Sequence, residues 1–393
     1  MRPLSLYIHI PWCKNKCCYC AFYSEVATSE SLYTLERAYL QCLINELSAN
    51  IKELNLEEFC LQTIFFGGGT PSLLSSHFYN TLLAHIFNSF FLDRNIEVTI
   101  EANPRDINLQ MCESWAGCGI NRISIGVQSL NNQSLNALGR DHSCEDVYRA
   151  IECIQTSGLY ENTSADLIFS IPGQSLENWR RDLETITLLP FSHISVYGLK
   201  VEEGTALSER LLSKTAHLPT EDEYVEMYQC AQEILPHAGF MQYEISNYAK
   251  KGKECQHNLA YWRNKDYLGL GSAAHSHVRG IRWSFDRSTA DFCHAFSRSF
   301  QGESLGSLYC IEDTASENEL KDTIMMGLRL VDGIDCNDIQ ALFNYDLLKE
   351  RQVQIAELCD WQLLEVQGSR LVITPTGYLV SNAIIARLIA NLS

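Results

Sequence analysis

Three thiols are the first residues able to do chemistry. Cys13, Cys17 and Cys20 follow the spacing C-x3-C-x2-C in His9-Ile-Pro-Trp-Cys13-Lys-Asn-Lys-Cys17-Cys18-Tyr-Cys20-Ala-Phe22, directly after an apolar run over residues 4–10. A short loop leaving a strand can fold thiols so spaced around one face of a cubic cluster, and thiolate is the soft ligand that iron–sulfur clusters select. Three thiolates on a 4Fe–4S cluster leave one iron without a protein ligand, open to bind and reduce a small molecule. A structural zinc site wants four N or S ligands, and the fourth would be Cys18, crowded against Cys17, or a distant residue. A disulfide is weaker still, since nothing marks the chain as secreted. Cys13, Cys18 and Cys20 form an alternative ligand set, ranked behind the regular spacing.

The elements that must hold this loop alternate along the chain. Short apolar, β-branched runs at residues 5–10, 63–66, 98–101, 122–126, 165–170 and 193–197 read as strands. Helical stretches fall between them, near 29–50, 73–87, 109–118, 146–157 and 176–188. This order predicts an α/β fold with a parallel sheet and crossover helices. Six units are too few for a complete eight-unit barrel, and in such folds chemistry gathers at the C-terminal ends of the strands.

The motifs sit where that rule puts them. Gly67-Gly-Gly-Thr-Pro-Ser72 follows the second strand; its glycines let the backbone approach a ligand, or simply make a tight turn. It is not a P-loop, because no Gly-Lys-Ser/Thr follows. Glu101-Ala-Asn-Pro104 closes the third strand, where a carboxylate can accept from two hydroxyls or cap the next helix. Gly126-Val-Gln128-Ser129 and Leu138-Gly-Arg140-Asp-His142 follow the fourth. Arg140 could hold a carboxylate through paired N–H bonds, or make an ordinary surface salt bridge. Asp166 lies early in the fifth strand, which ends in Pro172-Gly173-Gln174.

C-x3-C-x2-C with Tyr19 before the last Cys resembles the radical S-adenosylmethionine (SAM) superfamily. The flank Tyr7-Ile-His-Ile-Pro-Trp-Cys13 is similar to the branch that holds oxygen-independent coproporphyrinogen III oxidases and the HemW heme chaperones. The resemblance implies an incomplete (β/α)6 barrel, opened sideways for a large substrate. It implies that Cys13, Cys17 and Cys20 ligate a 4Fe–4S cluster and that Gly68, Gly69 and Thr70 meet the amino group of SAM. Glu101, Gln128, Arg140 and Asp166 match further SAM contacts, and Tyr7 and Tyr19 match contacts around the cluster and adenine.

Beyond the sixth strand, His193-Ile-Ser-Val-Tyr197 runs into a loop assigned to the substrate side, and an amphipathic stretch covers 221–235. Residues 239–248 read as an edge strand or a segment crossing the barrel mouth. In Gln256-His257-Asn-Leu-Ala-Tyr261-Trp262, His257 and Tyr261 share a helix face at i and i+4. On chemistry alone His257 reads as a hydrogen-bonded core histidine. His-Asn-x-x-Tyr-Trp resembles the heme-associated motif of the HemW family, which implies heme contact at His257 and Tyr261. Gly269-Leu-Gly271 reads as a loop closing over the SAM pocket, with His275 an alternative heme or substrate contact.

The reading divides the chain into a barrel over 1–285, a connection over 286–315 and a winged-helix-like α+β unit over 316–393. That last unit starts at the capping box Ser316-Glu-Asn-Glu319. Helices near 338–343 and 347–359 and a two-stranded wing at 363–366 and 371–374 follow. The unit carries 11 acidic and 6 basic residues, net −5, which suits a protein-facing or substrate-covering lid better than a DNA reader.

Charge excludes more than it selects. A formal net charge of −18 opposes nucleic-acid binding, which depends on Lys and Arg against phosphate, and lowers the reading of a radical SAM enzyme acting on RNA. No uninterrupted apolar run is long enough for a membrane span, and the N-terminus has no signal-peptide pattern, so a cytoplasmic protein is expected. Cys42, Cys60, Cys153 and Cys230 lie singly in apolar segments and read as small buried hydrophobes. The resemblance therefore implies a heme chaperone that binds cluster, SAM and heme, takes electrons from a donor and passes heme to an acceptor protein. It leaves room for a dimer and for peripheral membrane contact through the acceptor. The alternative is oxidative decarboxylation of coproporphyrinogen III. Phe22, where that enzyme family carries a further Cys, and the short lead before Cys13 speak against it. A non-catalytic scaffold would leave Gln128, Arg140 and Asp166 without a purpose.

Overall fold

The computed structural model describes residues 1–285, 288–297, 305–312 and 316–392. Six strands form its centre: Arg2–Ile10 (β1), Phe59–Gly68 (β2), Phe91–Ala102 (β3), Arg122–Gln128 (β4), Thr163–Phe169 (β5) and His193–Gly198 (β6). Each runs parallel to the next. Parallel neighbours need crossovers, supplied by Ser29–Leu54 (α1), Ser76–Ser89 (α2), Leu109–Gly117 (α3), Cys144–Ser157 (α4) and Leu176–Leu188 (α5). Five of the six expected strands lie inside the observed ones. The expectation at 165–170 overruns by one residue, because Ser170 turns to φ 61° and ends the ladder.

Side-chain alternation decides which face of each strand meets which layer. Leu4, Leu6, Ile8 and Ile10 of β1 are buried under the helices, as are Ile123, Ile125 and Val127 of β4. The intervening positions carry Ser5, Tyr7 and His9 on β1 and Arg122 and Ser124 on β4. Glu97, Thr99 and Glu101 on β3, Ser164 and Asp166 on β5, and His193 and Ser195 on β6 follow the same pattern. The concave interior is therefore polar, and the apolar core lies between sheet and helices. The helices are fixed at their ends by local chemistry. Ser143 and Asp146 form a reciprocal capping box on α4, and Gly158 ends it at φ 83°.

Six more strands extend the sheet: Met241–Gln242 (β7), Asn247–Ala249 (β8), Tyr267–Leu270 (β9), His275–Val278 (β10), Ile281–Ser284 (β11) and Cys310–Ile311 (β12). The order is β12-β11-β10-β9-β1-β2-β3-β4-β5-β6-β8-β7. Among the described residues no pairing joins the two ends, so the barrel stays incomplete. β9 runs parallel to β1 and adds a seventh parallel strand to the six expected. β7 and β8 pair antiparallel beside β6, which makes 239–248 an edge segment. Helix Glu221–His237 (α6) precedes them.

The glycine run at 269–271 has a packing reason. The Gly271 amide donates to Glu46 Oε2 of α1 at 2.8 Å, and Ser272 N donates to Tyr39 Oη at 3.1 Å. Its φ is +99°, and a Cβ there would stand 2.2 Å from Tyr39 Oη. These residues are buried beneath α1, and His275 is exposed opposite Glu312, 3.8 Å away. Cysteine burial corrects a second expectation: Cys42 and Cys230 are buried, whereas Cys60 and Cys153 are only half-buried.

Within the segment read as a connection, Thr289–Phe296 (α8) lays Phe292 and Phe296 into the core beside α1, and β12 continues the sheet. The segment's limits at 286 and 315, and the Ser316 side chain of the expected capping box, lie outside the described residues. The C-terminal helices are Ser316–Gly327 (α9), Cys336–Phe343 (α10), Gln352–Asp360 (α11) and Ser381–Ile389 (α12). Ile334–Asp335 (β13), Leu364–Gln367 (β14) and Arg370–Ile373 (β15) make a three-stranded wing. The helix expected over 347–359 breaks at Arg351 into a short turn, Leu347–Glu350, and α11. Ile245 N to Arg329 O (3.1 Å) and Val331 N to Tyr243 O (3.0 Å) stitch this unit to the barrel.

Replacing Gly271 by Ala should destabilise the chain by about 2–4 kcal/mol, the sum of a left-handed backbone cost and overpacking against Tyr39. Chemical denaturation checks this, and wild-type stability would show that the loop has other room.

Candidate functional site

The C-terminal ends of β1 to β6 surround one cavity of about 700 Å³. Cys13, Cys17 and Cys20 all face it from the loop after β1. Thr70 Oγ1 lies 3.4 Å from Cys13 Sγ, and Arg140 Nη1 lies 3.4 Å from Cys17 Sγ. Burial pushes the Cys13 and Cys20 thiols up, so thiolates form there as metal arrives rather than before it. Cys18 turns away. Its Sγ donates to Ala137 O at 3.3 Å, its amide to Leu138 O, and its carbonyl accepts from Leu207 N. It anchors the loop from behind, which argues against the ligand set containing Cys18.

The glycine run is shaped by this loop. Gly69 N donates to Ile10 O at 2.7 Å and Thr70 N to Trp12 O at 2.8 Å. A Cβ on Gly69 would stand 2.6 Å from Trp12 O, and one on Gly68, at φ +109°, would stand 2.5 Å from His9. Only bare backbone can lie so close to the start of the thiol loop. Gly68, Gly69 and Thr70 line the cavity.

Two carboxyls form the floor. Glu101 accepts from Gly68 N at 3.3 Å, so it ties β3 to the glycine run rather than capping the helix; Asn103 caps the following turn. Burial, then the nearby Asp166, raises Glu101 to about 8. Asp166 accepts from Ser124 Oγ (3.1 and 3.0 Å) and Ser195 Oγ (2.7 Å); burial raises it despite these bonds. An ionised carboxylate there can accept from a vicinal diol, and a protonated one accepts less.

Arg140 and Gln128 form the opposite wall. Arg140 Nη2 donates to Gly126 O at 3.1 Å and Nε to His142 Nδ1 at 3.4 Å, with His142 held by Val127 O. Arg140 is half-buried, and its hydrogen bonds go to Cys17, Gly126 and His142 rather than to a surface carboxylate. Gln128 is a buried non-glycine residue at φ 65°, a conformation of the sort that collects at binding sites. Asp182 braces the turn below it, accepting from Ser129 Oγ (2.5 Å) and Leu130 N (3.2 Å). Tyr19 also lines the cavity.

Three expected residues are not brought to the cavity. Tyr7 is held deeper, its hydroxyl 3.1 Å from His9 Nδ1 and its ring stacked on Phe65. His257 and Tyr261 lie on Gln256–Trp262 (α7), whose N-terminus rests on the Glu97 carboxylate (Gln256 N and His257 N each 3.1 Å). Both imidazole nitrogens are engaged, Nδ1 with Thr63 Oγ1 at 2.7 Å and Nε2 with Tyr261 Oη at 2.9 Å. Burial, reinforced by Arg122, lowers His257 to about 3. The geometry is that of the hydrogen-bonded core histidine. No residue of 269–275 lines the cavity.

Sequence reasoning missed the layer beneath the floor. Ser164 Oγ bonds His193 Nδ1 (2.7 Å), and His193 Nε2 bonds Tyr243 Oη (2.8 Å), beside the buried Arg122. The signal was present as strict alternation on β3 to β6.

The donor set fits a cluster with a small polar ligand. Three soft thiols face one cavity beside the Arg140 guanidinium, across from a carboxyl floor. Among the described residues no three His, Cys, Asp or Glu side chains converge as on a single ion; ligands of a cube attach to different irons and stand wider apart.

Comparison with known proteins agrees with this geometry. A family profile described as the Radical SAM superfamily matches residues 7–186, and one described as the HemN C-terminal domain matches 315–380. A protein named heme chaperone HemW from Lactococcus lactis is 31% identical over 390 residues, covering 99% of this chain and 98% of its own. The Escherichia coli protein of that name is 40% identical over 278 residues, 71% of each chain. The structure titled coproporphyrinogen III oxidase (HemN) from Escherichia coli, a radical SAM enzyme, superposes with a TM-score of 0.83 at 20% identity. It covers 100% of this chain and 91% of that one. At that identity the likeness speaks for the fold.

Glu101→Gln gives a test independent of any ligand. From the ordinary carboxyl value of 4.5 up to about 8, the folded chain keeps a proton that the unfolded chain has lost. Stability therefore falls as pH rises through that window. The variant should gain on wild type by up to about 1.4 kcal/mol per pH unit between pH 5 and 8, read from denaturant midpoints. A gap independent of pH would show that Glu101 is ionised throughout.

Proposed function

The chain belongs to the HemW heme chaperone family of the radical SAM superfamily, and on that premise we propose that it binds heme and hands it to an acceptor protein. The observation that carries the reading is the single cavity holding Cys13, Cys17 and Cys20 together with Gly68, Gly69, Thr70, Glu101, Gln128, Arg140 and Asp166. Family membership implies a 4Fe–4S cluster and SAM. Cys13, Cys17 and Cys20 would hold the cluster, and bound there it would supply an electron to a sulfonium placed beside it. The residues of the chain do the rest. The glycine run presents carbonyls to an amino group, Arg140 directs N–H groups at a carboxylate, and Glu101 with Asp166 accepts ribose hydroxyls.

The heme reading places its contact at His257 and Tyr261, and the geometry sets a condition on it. A ring nitrogen engaged with a hydroxyl cannot also bind iron, so Tyr261 must release Nε2, or α7 must shift from its seat on Glu97. Burial keeps the ring neutral, the form that ligates heme iron. The barrel over 1–285 and the unit over 316–393, joined through 286–315, meet at α7. Arg329 stacks on Trp262, and Asn264 donates to Glu319 Oε1 at 2.9 Å. The acidic C-terminal unit would face the acceptor. An electron donor and a second copy of the chain are further partners of this reading. No helix among the described residues is long and apolar enough to cross a membrane.

Oxidative decarboxylation of coproporphyrinogen III is the competing reading, which the shared fold leaves open; Phe22 stands exposed at the cavity rim where that enzyme family carries a further Cys. Anaerobically reconstituted protein should bind about one heme per chain and form little protoporphyrinogen from coproporphyrinogen. His257→Ala should weaken heme binding by roughly tenfold or more, the worth of one good ligand contact, with cluster absorption unchanged. Unaltered heme affinity in that variant would move the ligand elsewhere. Turnover of coproporphyrinogen with consumption of SAM would establish the decarboxylase.

A further inference from the structure

Arg122 is nearly sealed from solvent, at 2% exposure, and projects from the first position of β4 into the polar interior. Among the described residues it has no ion pair within contact distance, and its Nε has no hydrogen-bond partner. A buried guanidinium outside an ion pair is costly; Glu97, ahead of Asp166, favours its charge. The register adds a second relation. Arg122 stands opposite Thr99 on β3, and two residues along, on the same faces, Ser124 stands opposite Glu101. Ser124 in turn bonds Asp166. The cation thus sits one layer below the carboxyl pair on the cavity floor.

We propose that Arg122 is a positioning residue for the cavity floor: its charge, held one layer deeper, keeps Glu101 and Asp166 able to accept hydrogen bonds from a vicinal diol such as a ribose. This rests on the reading of the cavity as a SAM site and goes beyond it, since Arg122 itself lies outside the cavity lining. Arg122 acts against burial at both floor carboxyls, lowering Glu101 and Asp166. The groups facing it are Glu97 from β3, Asp166 from β5, His193 from β6, Tyr243 before β8, and Cys255 and His257 at α7. Tyr7, Tyr197 and Tyr261 are the other titratable neighbours of the floor pair. The two histidines are buried with lowered pKa values, so neutral imidazoles flank the guanidinium. Arg122 is then the cation at the centre of this layer.

SAM binding to cluster-loaded protein, followed by equilibrium titration from pH 6 to 9, tests the assignment. Wild type should bind more tightly as pH rises toward 8 and then level off. Arg122→Met should move that rise to higher pH and weaken binding at pH 7, about tenfold for each unit of displacement. Arg122→Lys, which keeps the charge, should retain the wild-type profile. A folded Arg122→Met with the wild-type profile overturns the proposal, as does an Arg122→Lys profile displaced as far as that of Arg122→Met. Should Arg122→Met not fold, the Arg122→Lys profile decides: unmoved it supports the proposal, displaced it contradicts it. Wild type that binds no SAM at any pH would defeat the reading of the cavity itself, an outcome distinct from these.

Discussion

Burial of polar groups inside a parallel sheet is the constraint on which the rest depends. The six central strands give their apolar positions to the helices, which leaves hydroxyls, imidazoles, carboxyls and one guanidinium facing inward. In so dry a space each such group needs a partner or must change its protonation. The structure uses both solutions. Thr63–His257–Tyr261 and Ser164–His193–Tyr243 are closed chains of hydrogen bonds. The floor carboxyls instead hold protons more tightly than exposed acids. A ligand with hydroxyl donors would reverse that, and the interior is thereby prepared for one.

The thiol loop is held by backbone contacts more than by side chains. Its start is clamped by Gly69 and Thr70 amides on Ile10 and Trp12, and its middle by Cys18 against residues 137–138 and Leu207. His9 Nε2 and the Tyr23 carbonyl, 3.0 Å apart, tie its exit to β1, and Thr289 N donates to Tyr23 Oη. The anchors come from crossovers and later segments as well as from β1, so the loop is pre-set by the whole barrel. This is why the fold, rather than the loop sequence alone, determines which three of four neighbouring thiols look into the cavity.

Much of this was legible in the chain itself. The six parallel strands stood out as short β-branched runs separated by helical stretches, and the thiol spacing located the site. What escaped had physical reasons. Gly271 carries the sequence signature of a ligand loop, but its glycine is demanded by Tyr39, a residue more than two hundred positions away in the chain. The i, i+4 pair of His257 and Tyr261 was legible on the helix, yet helical spacing does not say which end of the barrel a helix caps. Arg122 and His193 were hidden inside strands read for their hydrophobic character, although period-two alternation marks them as inward-facing.

The central claim is that three thiols grip a cluster whose remaining iron is offered to the ligand in the same cavity. Electron paramagnetic resonance of the reduced, anaerobically reconstituted protein, recorded with and without SAM, addresses it directly. The account predicts a four-iron spectrum whose line shape changes on adding SAM. A spectrum of another cluster type, or a four-iron spectrum indifferent to saturating SAM, would contradict it.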